Sequence, residues 1–508
     1  MSAPDRHPLL YQINTRVTLA ELSRTLPRKA TLDDVPDAFL DEMRDRGFRW
    51  LWFLGVWQTG EAARAVSLAN PALRAEYARE LPDFRDEDVS GSPFAIKAYR
   101  VHADFGGDEA LARLREKMSA RGLKLLTDFV VNHCAPDNPW SASHPEYFIP
   151  GDEGDLAREP KNWGRVSLDG DGNGNAREAI LAYGRDPYFP GWPDTLQLNY
   201  RHPRCREAMT GELLEIAKRC DGVRCDMAML VQPDVFERTW GDRALPRDGV
   251  PAASGPFWPG AIAAVKAVRP DFLFIAEVYW DREWELQQAG FDFTYDKRLY
   301  DRLHAGSGQA VREHLLADPD FQNRSLRFLE NHDEPRAADA FPDAPHRAAA
   351  VIGFFVPGLR FFHDGEFSGR RVHVSMHLGR RPEEPPRPEW EAFYADVLSC
   401  LRRREVHDGA WSLAQILPAW ENNPTWNAFT AFAWRLDGGK TLLAVVNYSP
   451  GRGQCFVKFD MAGLGAGMLR LTDLLGEAEY VRSAVELAGK GMYFDMPAWG
   501  HHLFEVRA

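Results

Sequence analysis

The chain has 508 residues, 44% of them hydrophobic, which is more than one core usually holds, so two or three domains are expected. Lys and Arg number 61 against 74 Asp and Glu, and the net charge of −13 sets the field against nucleic acid and anionic membranes, leaving neutral or cationic ligands. The opening MSAPDRHPLLYQINTRV lacks the basic segment and apolar run of a signal peptide, and no stretch reaches the roughly 20 apolar residues that span a bilayer, which points to a soluble cytoplasmic protein with no membrane partner.

In chain order, eight short apolar runs read as parallel strands buried on both faces. They are LYQINTRV near 10–17, RWLWFLGVW at 49–57, LKLLTDFVVNH at 123–133, DGVRCD at 221–226, FLFIAE at 272–277, FDFTYD at 291–296, LRFLENHD at 326–333 and GLRFFHDGE at 358–366. Helical periodicity falls between them, as in DEALARLREKMSARG after Gly107, REAMTGELLEIAKRC at 206–220 and EWEAFYADVLSCLRRRE at 389–405. The alternation predicts an α/β fold, a (β/α)8 TIM barrel formed by 1–133 and 201–405. The third strand is followed by a Gly-, Pro-, Asp- and Asn-rich stretch too long for a βα loop, so 134–200 is expected to be an inserted domain. Short β-type segments separated by turns after 406 predict a C-terminal antiparallel β-sandwich over 406–508.

The six cysteines (Cys134, Cys205, Cys220, Cys225, Cys400, Cys455) form no CxxC pair and read as reduced thiols. Cys225 should pack, because Arg224 and Asp226 on either side of it point to the opposite face of a strand. Asp169, Asp171 and Asn173 begin like a calcium loop, but Ile180 stands where the bidentate Glu of an EF-hand belongs, so a Gly-rich turn is the better reading.

Four of the runs end in polar groups: Asp128 with Asn132 and His133, Arg224 with Asp226, Glu277, and Glu330 to Asp333. A lone acid at a strand end usually caps the next helix. Four clusters gathered on one barrel rim point to chemistry instead. Arg224 and Asp226 lie two apart on a strand, so the cation faces the same side as the carboxylate and favours its charged form, as a nucleophile needs. Glu277 ends a very apolar run, where desolvation favours a protonated carboxyl suited to proton donation. Two carboxyls with separated proton affinities are what glycoside cleavage requires. The rival reading, a metal site, lacks HExxH or a close His pair.

DFVVNH at 128–133, GVRCD at 222–226, Glu277 in FIAEV and ENHD at 330–333 resemble, in order, the four signature regions of the α-amylase superfamily, glycoside hydrolase family 13. PDTLQLN at 193–199 resembles its additional signature at the end of the inserted domain B. The resemblance implies Asp226 as nucleophile, Glu277 as general acid/base and Asp333 as the third carboxylate, holding sugar hydroxyls. By the same resemblance Arg224 positions Asp226, His133 and His332 donate to sugar hydroxyls, and Asp128 orders the rim. Phe94 stands where many relatives stack a Tyr on the sugar, and Trp280 joins the Trp140, Trp163, Trp192 and Tyr279 aromatics that could line the cleft. No cofactor is needed for the chemistry; a structural calcium touching Asn132 is what the resemblance allows.

The sequence departs from the family in two places. Met229 and Leu230 replace the Lys-His that contacts sugars in many starch-cleaving relatives, and Ala95 replaces the Asp that clamps a terminal glucose in the oligo-1,6-glucosidase type. The expected substrate is therefore a small oligosaccharide or other α-glucoside. Hydrolysis leads, with glycosyl transfer or isomerisation by the same site as the alternative and an inactive scaffold as the remote one.

Overall fold

The protein is described by a computed structural model covering residues 6–168 and 177–508, so the Asp169–Asn173 motif lies outside the described residues. Eight parallel strands close a barrel: β1 Leu9–Asn14, β2 Trp50–Leu54, β3 Lys124–Val130, β4 Gly222–Asp226, β5 Leu273–Ala276, β6 Phe293–Tyr295, β7 Ser325–Arg327 and β8 Leu359–His363. Each pairs with its neighbours in sequence, and β8 closes on β1 from Leu9↔Arg360 to Gln12↔His363. All eight expected runs supply a strand. β2, β4, β5 and β8 are buried at every position, the pattern of strands covered by helices outside and by packed side chains within.

The strands stop short of the apolar runs because the polar end of each run turns into loop or helix. Asn14 shows the reason at β1, where its side chain accepts from the Val17 N–H (3.3 Å) and starts the helix Thr15–Ser23 three residues before the apolar run ends.

Two excursions rise from the barrel rim. The expected one leaves β3, and its ends are clamped by a short antiparallel pairing of His133–Cys134 with Leu196–Gln197. Within it, Trp163–Leu168 pairs with Arg177–Ala182. The other, which periodicity did not reveal, leaves β2. Trp57–Thr59 pairs with Ile96–Val101, and the helices Glu61–Ala69 and Pro71–Glu80 lie between them. A small core of Tyr77, Leu81, Val89 and Leu378 joins this excursion to the loop after β8.

Beyond the helix Pro388–Leu401, a six-stranded and a three-stranded antiparallel sheet face each other across a shared core that includes Ala431, Leu443 and Phe504 from one and Val457 and Phe494 from the other. This is the β-sandwich. It is fastened to the barrel by Trp434, whose indole donates to the Phe355 carbonyl (2.6 Å), and by Tyr448, whose hydroxyl donates to the Leu303 carbonyl (2.6 Å). All six cysteines are buried free thiols, as expected.

Candidate active site

The β4–β5 ladder continues past the strands. The Glu277 N–H donates to the Cys225 carbonyl (3.0 Å) and the Ala228 N–H to the Glu277 carbonyl (3.0 Å), so Asp226 and Glu277 end adjacent strands at matching height. Arg224 points to the same side as Asp226, and its guanidinium bridges the carboxyls. Nη1 donates to Asp226 Oδ1 (2.5 Å), Nη2 lies 2.8 Å from Glu277 Oε2 and 3.9 Å from Asp333 Oδ2. Cys225, between them in sequence, is buried in the core on the other face.

Glu277 is held on every side. Met227, in the left-handed region at φ 43°, turns its N–H onto Oε2 (2.7 Å), and the Tyr279 hydroxyl donates to Oε1 (2.9 Å). A non-glycine residue in that conformation costs of order 1–3 kcal/mol, and here the strain aims a donor at the functional carboxyl. Burial pushes the Glu277 carboxyl up to about 8, and nearby Asp226 and Asp333 add to the effect against the pull of Arg224. Glu277 therefore holds its proton more tightly than an ordinary glutamate, as a proton donor must.

The third carboxylate comes from the turn after β7. Asn331 Oδ1 accepts from the N–H groups of Asp333 (2.8 Å) and Glu334 (2.9 Å), which shapes the turn. The Asp333 side chain stays 31% exposed, yet enclosure by the surrounding protein still raises its carboxyl above the usual range. His332 beside it is buried and kept neutral by burial and by Arg224. The Gln12 amide, from β1, donates to His332 Nδ1 (2.9 Å) and so assigns the ring proton to Nε2. That nitrogen lies 3.1 Å from Asp333 Oδ2 but makes no aligned hydrogen bond with the protein. Phe94 packs its ring 5.5 Å from His332 and 5.1 Å from the Arg224 guanidinium, so it belongs to this cluster.

His133 ends the third run, buried and neutral, near enough to Asp226 to feel its charge and 5.2 Å from Trp192. Asp128 accepts from the Trp52 indole (3.0 Å) and the Gly55 N–H (2.7 Å), a rim-ordering arrangement. Glu330 likewise turns away to accept from the Ala337 N–H (2.6 Å) and to pair with Arg336 (2.9 Å). Trp280 lies three residues past Glu277, and its ring meets Tyr188 edge-on at 5.0 Å. Trp163 packs against Trp240 (6.4 Å) in the interior.

Met229 and Leu230, which stand where many starch-cleaving relatives carry Lys-His, are 0% and 3% exposed and pack in the core, so they offer no donor to bound sugar. The turn after Asp226 is a tight 3-10 segment, Ala228–Val231, wound inward because all four of its residues are apolar.

Three supporting residues escaped sequence reasoning, Gln12, Trp52 and Tyr295, and Tyr279, read there as a cleft aromatic, holds Glu277 through its hydroxyl. Trp52 and Tyr295 flank the Arg224 guanidinium at 5.5 and 5.7 Å. The residues around Asn132 do not fit a calcium ion. Its Oδ1 and carbonyl both accept from Gln197 Nε2 (2.9 Å each), which also reaches the Leu198 carbonyl (3.0 Å), so an amide donor stands among the oxygens a cation would need. Among the described residues no group of three or more His, Cys, Asp and Glu side chains is arranged to hold a metal.

The family profile described as alpha amylase, catalytic domain, matches residues 93–384. Alpha-amylase 3 of Dictyoglomus thermophilum is 22% identical over 305 residues, covering 56% of this chain and 54% of that protein. An alpha-1,4-glucan:maltose-1-phosphate maltosyltransferase of Burkholderia pseudomallei is 29% identical over 275 residues, covering 53% of this chain and 19% of that protein. The chain thus matches about half the length of the first relative and under a fifth of the second. Among solved structures, maltogenic alpha-amylase AmyB from Thermotoga neapolitana superposes with a TM-score of 0.68 at 17% identity over 99% of both chains, and an alpha-amylase from Lactobacillus plantarum with 0.65 at 20% identity over 98% of this chain and 99% of that one. At these identities the likeness speaks for the fold.

Proposed function

The chain belongs to the alpha-amylase family, and from that premise we propose that it cleaves α-glucosidic bonds of short oligosaccharides or glucosylated small molecules by double displacement with retention. The observation that carries this reading is the pairing of Asp226 and Glu277 through one guanidinium, with the Glu277 carboxyl pushed up to about 8 by burial. Asp226 attacks the anomeric carbon as the bond to the leaving oxygen breaks, and Glu277 gives that oxygen its proton. Charge developing on the sugar ring is met by the carboxylates of Asp226 and Asp333. A water or a second hydroxyl then attacks the glycosyl ester, yielding its proton to the Glu277 carboxylate, and Asp226 leaves. His332 Nε2–H is available to a sugar hydroxyl, His133 supplies a second neutral imidazole, and Phe94 offers an aromatic face. Transfer to an acceptor is the second reading, favoured by the similarity to maltosyltransferases. The inactive-scaffold alternative is disfavoured by a carboxyl cluster whose every member is oriented. The test is NMR of a panel of α-glucosides, with and without acceptors: the first-formed product should be the α-anomer, and a β-anomer would remove the retaining assignment.

A further inference from the structure

The loop after β8 and the excursion after β2 are sewn into one body. Val89 bridges Leu378 in antiparallel fashion, the Ser90 N–H donates to the His377 carbonyl (2.8 Å), and the Gly379 N–H donates to the Asp88 carbonyl (2.8 Å). The Arg380 guanidinium closes on both oxygens of Asp88 (2.6 and 2.8 Å), beside the small core of Tyr77, Leu81, Val89 and Leu378. From this body His373 reaches across to the turn after β7 that carries His332 and Asp333. Its Nδ1 lies 2.9 Å from Glu80 Oε1, at the end of the helix Pro71–Glu80, and its Nε2 lies 3.0 Å from the His332 carbonyl oxygen.

Both partners of the ring are acceptors. A carbonyl cannot donate, and the other oxygen of Glu80 is engaged as an acceptor too, taking the Ser375 N–H (2.6 Å). A neutral imidazole has a single N–H, so a ring that makes both bonds carries two protons and a positive charge. Burial works against that charge, but the Glu80 carboxylate, the His332 carbonyl and Asp333 outweigh it and raise the ring above the ordinary histidine range. The other titratable groups that face it are Glu330 and His332 on the β7 side and His363 at the end of β8, and burial keeps both of these histidines neutral. The cation matters at Asp333, where burial raises the carboxyl and Arg224 and His373 oppose the rise.

We propose that His373 is a positioning residue for the reaction: an imidazolium clamped between Glu80 and the His332 carbonyl, it fixes the turn bearing Asp333 and presents that carboxylate with a second positive charge besides Arg224. The proposal rests on the α-glucoside reading of the site and deepens it. In that reading Asp333 must be ionised to meet the charge developing on the sugar ring. Its raised carboxyl is prone to take up a proton as pH falls. His373 holds off that protonation, so the clamp extends the working range of the site to lower pH.

The test uses the full chain and follows kcat/KM on nitrophenyl α-glucoside as pH is lowered. His373→Asn keeps a donor but no charge, and on the acid limb its kcat/KM, taken relative to its own plateau, should fall about 3- to 10-fold below that of the wild type. His373→Lys restores a cation and should retain the wild-type limb. A merely structural brace would lower the plateau of both variants and leave the limb in place, and that result would overturn the proposal while sparing the α-glucoside reading. Heteronuclear NMR of the imidazole Cε1–H groups needs no turnover. The His373 resonance, assigned by its loss from either variant, should titrate above the ordinary histidine range, and Glu80→Gln should lower its midpoint. Should the His373 variants fail to fold, the resonance whose midpoint Glu80→Gln lowers identifies it. A His373 midpoint within or below the ordinary range, or no midpoint lowered by Glu80→Gln, would likewise overturn the clamp. Failure of the wild type to cleave any α-glucoside would remove the α-glucoside reading, and with it the part given to His373.

Discussion

At the scale of single residues, the site works by setting two equivalent side chains apart. Asp226 and Glu277 share one cation, but Arg224 Nη1 is committed to Asp226, whereas Glu277 is also held by Met227 and Tyr279, and burial raises its carboxyl. Glu277→Gln should lower turnover by about 10²–10⁴ for substrates with poor leaving groups and far less for aryl glycosides in the first step. Asp226→Asn should abolish the covalent intermediate for every leaving group. Because the acid must be protonated, kcat/KM should fall as pH rises through about 8. The same elevation makes a stability statement. Between the ordinary glutamate range and about 8 the folded protein holds a proton that the unfolded chain releases, so stability drains away as pH rises across that window. Glu277→Gln should therefore raise the melting temperature, with a gain that grows from pH 5 to pH 8; a gain that shrinks over that range would contradict the buried, protonated carboxyl. The carboxyls and Arg224 were legible because polar groups interrupt apolar runs at strand ends, whereas the parts given to His332 and Phe94 came from the family resemblance. Gln12, Trp52 and Tyr295 were not, since within such runs nothing in residue type separates a side chain that supports a catalytic group from one that fills the barrel.

At the scale of elements, the loops decide what the barrel does. The inserted segment was readable as a gap too long for a βα connection, whereas the excursion after β2 was missed because its helices are short and its strands only three and six residues long. Yet that excursion supplies Phe94 and, through Glu80, holds His373 (2.9 Å), whose Nε2 donates to the His332 carbonyl (3.0 Å). Met229 and Leu230 were read as giving sugar no donor, and the structure adds why: a run of four apolar residues winds inward. Gln197 braces the inserted segment in the role a cation could otherwise fill. Gln197→Ala removes the donor to Asn132 Oδ1 and the Leu198 carbonyl, while the Asn132 carbonyl keeps the Leu198 N–H, and should cost roughly 1–3 kcal/mol. Chelator should change neither melting temperature nor activity of the wild type, and a parallel fall in both would show that a structural ion is present after all.

At the scale of the whole molecule, barrel, excursions and sandwich form one scaffold around the carboxyl cluster. With Met229 and Leu230 buried in place of hydrogen-bond donors, the acceptor side should gain little from each further glucose, and Ala95 in place of an acid leaves a terminal glucose without one clamp. The specificity constant should be higher on di- to tetrasaccharides or on a glucosylated acceptor than on soluble starch, compared per bond, and values climbing through heptaose to a maximum on starch would oppose this. The architecture itself was legible almost throughout, because eight doubly buried strands and a switch to antiparallel patterning leave strong marks in sequence. What binds in the cleft was not, because it depends on which loop side chains meet across it. The central claim, a covalent intermediate on Asp226, is open to direct measurement: inactivation with a 5-fluoro-α-glucosyl fluoride followed by peptide mass mapping. The account predicts a single glycosyl ester on the peptide carrying Asp226; an ester on another carboxylate, or turnover to an inverted product with no ester formed, would contradict it.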